Sequence, residues 1–61
     1  MPTNLDKFNE LTAAGLSKEA AAAGTWTGKQ AARYGYTKVV VKRSDGSRGR
    51  YTNVEVTFTK P

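Results

Sequence analysis

The side chains of this chain that can do chemistry are cations, hydroxyls and amides. The two most versatile catalytic groups are missing: there is no His and no Cys among the 61 residues. The commonest general base, the thiol nucleophile and the usual nitrogen and sulfur metal ligands are therefore absent. The carboxylates are five, Asp6, Glu10, Glu19, Asp45 and Glu55. A chain this short also has little material with which to wall off a pocket of ordinary ligand size. These features predict a protein that is not an enzyme and that holds no metal or other cofactor.

The cations are unevenly spread. Residues 1–24 carry Lys7 and Lys18 against Asp6, Glu10 and Glu19, a net of −1. Residues 25–61 carry Lys29, Arg33, Lys38, Lys42, Arg43, Arg48, Arg50 and Lys60 against Asp45 and Glu55, a net of +6. The positive charge is densest in Lys42, Arg43, Arg48 and Arg50, which flank Asp45-Gly46. Such a field attracts polyanions, either nucleic acid or an acidic protein face. A likeness to a P-loop is superficial. Gly24-Thr25-Trp26-Thr27-Gly28-Lys29-Gln30 has the glycines and lysine of a P-loop. Three residues separate the glycines where four are required, Gln30 replaces the magnesium-binding hydroxyl, and no strand precedes it.

A domain of this size buries only about 60% of the surface its unfolded chain exposes. With no disulfide or His/Cys metal site to help, it rests on a compact core, or gains stability from a partner or a copy of itself. The patterns predict one α+β domain: three short helices followed by a C-terminal two-stranded antiparallel hairpin. The first helix is expected over about 4–14, where Leu5, Phe8 and Leu11 recur at helical spacing and Asp6 favours the positive helix start. Gly15 and Leu16 fit a Schellman stop, with Leu16 packing on Leu11. Ser17 is expected to cap a second helix over 17–23, ended by Gly24. Its four alanines suit close approach of another element. Thr27 and Gln30 match a capping box for a third helix over about 27–34.

The period then changes to two. Residues 36–43 and 51–59 are rich in Val, Tyr, Thr and Phe and read as strands. Val39, Val41, Val54, Val56 and Phe58 share one face, and Val40 falls on the other. A tight Asp45-Gly46 turn sets Val41 opposite Arg50. A longer loop from Asp45 to Arg50 sets Val41 opposite Val54 and Val39 opposite Val56. Apolar pairing favours the longer loop. The expected core is Leu5, Phe8, Leu11, Leu16, Trp26 and the five strand residues, with Trp26 as anchor; base stacking by Trp26 is the alternative.

The order of helix, turn and helix over Ser17 to Tyr34, followed by a basic hairpin, resembles winged helix-turn-helix domains. The chain departs from their usual pattern in having only Ala31 and Ala32 in mid-helix, where a bulky apolar residue is common. The resemblance implies a third helix in the DNA major groove and a hairpin over the backbone or in the minor groove. On it, Lys29, Gln30 and Arg33 face the bases or phosphates, because Gln pairs with adenine and Arg with guanine. Lys42, Arg43, Arg48 and Arg50 form a mobile, glycine-bearing arm that grips phosphate. Tyr51 is expected on the polar sheet face, where it stacks on a base or packs against an acidic partner; a half-buried strand tyrosine is the competing reading. The competing readings are a solvated helix face and an edge-protecting hairpin. The expected partner is nucleic acid, DNA before RNA; the alternative is a basic accessory subunit on an acidic face of a larger assembly. With no Cys, no apolar leader in residues 1–15 and no long apolar run, the expected setting is a reducing one, cytoplasmic or nucleoid-associated.

Overall fold

A computed structural model describes residues 3–61. Three short helices precede a two-stranded antiparallel hairpin, an α+β arrangement: α1 (Asn4–Ala13), α2 (Lys18–Ala23), α3 (Trp26–Arg33), β1 (Lys38–Asp45) and β2 (Asn53–Thr59). Among the described residues no helix is long and apolar enough to cross a membrane.

Local chemistry explains each helix end. Thr3 and Asp6 form a reciprocal capping box at the start of α1. This satisfies two backbone donors that a free helix end leaves orphaned. At the other end Leu16 N–H donates to Leu11 C=O (3.1 Å) and Gly15 N–H to Thr12 C=O (3.0 Å). That is the expected Schellman stop, and it is repeated after α3, where Tyr36 N–H reaches Ala31 C=O (2.9 Å) and Gly35 N–H reaches Ala32 C=O (3.0 Å). Gly15 and Gly35 supply the left-handed backbone (φ +102° and +88°) that this motif needs. Ser17 caps α2 through Ala20 N–H (3.1 Å).

The cap of α3 differs from expectation. It is Thr25, not Thr27. The Thr25 hydroxyl accepts from Gly28 N–H (3.1 Å) and donates to Ala22 C=O (2.7 Å), so one buried group closes α2 and opens α3. Thr27 instead receives the Asn4 amide (2.6 Å), tying the start of α3 to the start of α1. The Thr27–Gln30 pattern is thus displaced by a cap that is also a helix–helix contact.

The hairpin has a register that neither loop length foresaw. Val39 pairs with Phe58 and Val41 with Val56, then the register shifts and Arg43 faces Glu55, Ser44 faces Val54 and Asp45 faces Asn53. Lys42 is the extra residue of a β-bulge. Pairing therefore continues to Asp45, two residues beyond the expected end. The loop becomes Gly46–Thr52, because β2 begins at Asn53 rather than at residue 51. The bulge also exchanges faces: beyond it Ser44, not another valine, shares the inner side with Val54, where Lys18 Nζ reaches it (2.7 Å).

Among the described residues Phe8, Ala21 and Ala22 are the fully buried apolar ones, ringed by half-buried Leu11, Val39, Tyr51, Val54, Val56 and Phe58. The α2 alanines let α1, α3 and β1 all pack on this one short helix. Two expected core members are outside. Trp26 is 67% exposed and Leu16 37%. The anchoring aromatic pair is Phe8 with Tyr51, edge to face at 5.3 Å between centroids.

Candidate nucleic-acid interface

The α3 helix presents one coherent outward face. At 3.6 residues per turn, Trp26, Lys29, Gln30 and Arg33 fall within an arc of about 100°. Gly28, Ala31 and Ala32 occupy the opposite arc. Trp26, Lys29 and Arg33 are exposed and Gln30 is half-buried. The inner side explains how so small a helix is held. A Cβ on Gly28 would lie 2.2 Å from Ala22 O and 2.8 Å from Ala23 Cα. The glycine lets α3 rest directly on the backbone of α2. Tyr34, just past the last turn, is 74% exposed.

Among the described residues two ion pairs form, Lys7–Glu10 (3.3 Å) and Arg43–Asp45 (2.9 Å). Lys29, Arg33, Lys42, Arg48 and Arg50 stand outside both. No Asp or Glu occurs between Ala20 and Ser44. The α3 face and the bulge at Lys42 thus lie on a stretch of chain with no built-in counter-charge. Arg43 differs from the other expected phosphate contacts: its guanidinium already holds Asp45, which also receives Asn53 Nδ2 (3.4 Å).

The hairpin loop is not a free arm. It folds back on the C-terminal half of α1. Asn9 clamps Tyr51 at both backbone groups, accepting from its N–H (2.7 Å) and donating to its C=O (2.9 Å). Thr12 Oγ1 accepts from Gly49 N–H (3.1 Å). Arg50 N–H closes a turn on Ser47 C=O (2.8 Å). Gly49, at φ +77°, is where the loop touches α1, since a Cβ there would sit 3.0 Å from the Ala13 Cβ. The expected mobile arm is therefore a fastened loop that displays Arg48 and Arg50 from fixed positions. Tyr51 is not on the polar sheet face. It precedes β2, its ring packs on Phe8 and Lys18 Nζ lies over it at 5.6 Å. Its aromatic surface is taken by the core.

The expected site residues thus form two groups rather than one patch. The α3 group is anchored near the start of α1 through Asn4–Thr27, and the loop group near its end through Thr12–Gly49. Asn4 and Thr12 are about 12 Å apart along the helix axis. Trp26 is the functional candidate that sequence reasoning assigned to the core. The signal that could have found it is its i, i+3, i+4, i+7 spacing with Lys29, Gln30 and Arg33.

Between the first half of α1, the start of α3 and β2 lies an open cleft of about 360 Å³. Leu5, Phe8, Val54, Val56 and Phe58 give it an apolar floor, and Asn4 and Thr27 a polar lip. Comparison with known proteins gives no match: no family model fits the chain, and no curated protein or solved structure is similar to it.

Proposed function

We propose that this chain is a small nucleic-acid-binding protein, with DNA favoured over RNA, that uses the outward face of α3 as its reading surface and the fastened basic loop as a phosphate contact. The observation that carries this reading is the α3 face: Trp26, Lys29, Gln30 and Arg33 together on a helix held against α2, with no carboxylate paired to its cations. A helix of this kind enters a B-form major groove, whereas the deep, narrow major groove of A-form RNA excludes it. Lys29 and Arg33 neutralise phosphate or, for Arg33, read guanine; Gln30 pairs with adenine. Trp26 adds a flat apolar surface for a sugar or an unstacked base. Lys42, Arg48 and Arg50 follow the backbone beyond the groove, and Arg43 contributes less because Asp45 already neutralises it. Five phosphate contacts correspond to a slope of log affinity on log salt of about −4.5.

The test uses the single tryptophan. Duplex DNA is titrated into the chain at several salt concentrations while Trp26 emission is followed. The expected result is a change in emission with a steep salt dependence. Lys29→Ala with Arg33→Ala should lower affinity, and Arg48→Ala with Arg50→Ala should flatten the slope by about 2 units, both with unchanged melting. Parent-like binding in both double variants would refute the reading and shift these charges to an acidic protein partner.

A further inference from the structure

We propose that a second copy of this chain docks along the free edge of β2, giving a two-fold dimer with a four-stranded sheet in the order β1-β2-β2-β1. The two edges of the sheet are built differently. β1 carries Lys38, Lys42, Arg43 and the bulge at Lys42, and edge cations and bulges are the devices that keep a strand from pairing with another chain. β2 reads Asn53-Val54-Glu55-Val56-Thr57-Phe58-Thr59 and has no cation, no proline and no glycine. The irregularity in the ladder adds its extra residue to β1 and leaves β2 regular. Among the described residues, no hydrogen bond outside the β1 ladder reaches the backbone of Asn53–Thr59. One strand is guarded and its neighbour is open.

The open strand is also complementary to itself. A two-fold centred on Val56 sets Val56 opposite Val56 of the second copy, Val54 opposite Phe58, Glu55 opposite Thr57 and Asn53 opposite Thr59. Every apolar residue then meets an apolar residue on the same side of the sheet, and no like charges face each other. Centring on Glu55 sets two carboxylates against each other. Centring on Thr57 sets Val54 against Lys60. The pattern of the strand selects one register out of the three.

What the second copy covers is what the single chain leaves open. Val54, Val56 and Phe58 are only half-buried and floor the cleft beside α1. Docking puts Phe58 of the second copy next to Val54 at that cleft and extends the apolar face across the two-fold. The cations of each chain sit on α1, α2, α3, β1, the loop and Lys60, and none lies on β2. No cations therefore oppose each other within the β2–β2 pairing, and the general repulsion between two +5 chains is one that salt screens. The symmetry is closed: the assembly ends on two guarded β1 edges, so it does not propagate into a fibre.

The test is sedimentation equilibrium of the parent and two variants at an exposed position of the outer face. Thr57→Glu sets a carboxylate opposite Glu55 of the second copy, twice per dimer. Thr57→Lys sets a cation there. The parent should be dimeric at high concentration. Thr57→Glu should weaken the dimer about tenfold and Thr57→Lys should tighten it severalfold. Isotope-mixed samples of the parent should show nuclear Overhauser contacts between the β2 strands of two copies, a readout independent of how either variant folds. A parent that stays monomeric to millimolar concentration, variants that shift the equilibrium in the same direction, or no contact between β2 strands would each overturn the proposal.

Discussion

Replacing Gly28 by alanine separates a propensity argument from a packing argument by sign. On helix propensity alone, alanine in place of an interior glycine stabilises a helix by about 1 kcal/mol. The geometry of the α2–α3 joint predicts the reverse. The new Cβ would fall 2.2 Å from Ala22 O and 2.8 Å from both Ala23 Cα and Ala23 O. These are backbone atoms, which cannot swing aside as a side-chain tip can. Reaching a tolerable contact needs a separation greater by about 1 Å. That movement pulls Gly28 N–H away from the Thr25 hydroxyl, now 3.1 Å distant, and loosens the hydroxyl from Ala22 C=O. Overpacking of this kind costs about 1–3 kcal/mol, and a weakened cap about 1 kcal/mol more. Set against the propensity gain, the net loss is about 1–3 kcal/mol. For a domain of this size, each kcal/mol corresponds to about 4–8 °C in melting temperature. Gly28→Ala should therefore melt about 5–20 °C below the parent when followed by far-ultraviolet circular dichroism, while Lys29→Ala, next in sequence but exposed, should melt with it. A Gly28→Ala protein that melts at or above the parent temperature would refute the close approach of α3 to α2.

Two further substitutions test the joints that hold the candidate interface. Asn9→Ala removes both bonds to the Tyr51 backbone; leaving two part-buried groups unpaired should cost about 2 kcal/mol or more, and amide exchange at Gly49 and Tyr51 should accelerate as the loop leaves α1. Thr25→Ala should destabilise the fold by about 1–2 kcal/mol in denaturant titration, whereas Thr27→Ala, which loses only an exposed bond from Asn4, should cost about 0.5 kcal/mol.

The elements were legible because their signals are local. Ser17, Gly15 with Leu16, and Gly24 mark helix ends whatever surrounds them, and the alternation from Val39 onward marks strands. The apolar face of the hairpin was legible for the same reason: the observed register differs from the expected one by an even shift up to the bulge, and an even shift preserves faces. The bulge itself was not. Lys42-Arg43-Ser44 holds no glycine or proline to signal one. What fixes it is a competition between elements, since the loop must end where Asn9 and Thr12 can hold Tyr51 and Gly49. The α3 cap failed in the same way. Thr27 satisfies the local pattern better, but Thr25 closes α2 with the same hydroxyl, a gain that exists only once the two helices are adjacent.

The exchange of roles between Trp26 and Tyr51 follows from that same joint. A tryptophan between two helices is a natural core anchor when the connection is long enough to turn it inward. Here Thr25 is the whole of the connection beyond the Gly24 cap, and its side chain is buried. With Thr25 and Gly28 fixed against α2, Trp26 at the first position of α3 is rotated to the outer side by helical geometry alone. The vacancy over Phe8 is then filled from the other end of the chain by Tyr51, which Asn9 holds in place. One constraint, the two-residue link Gly24-Thr25 between α2 and α3, thus moves the large aromatic out to the cationic face, while the tyrosine expected on the polar sheet face enters the core. The surface proposed to meet nucleic acid is a consequence of how the core is closed.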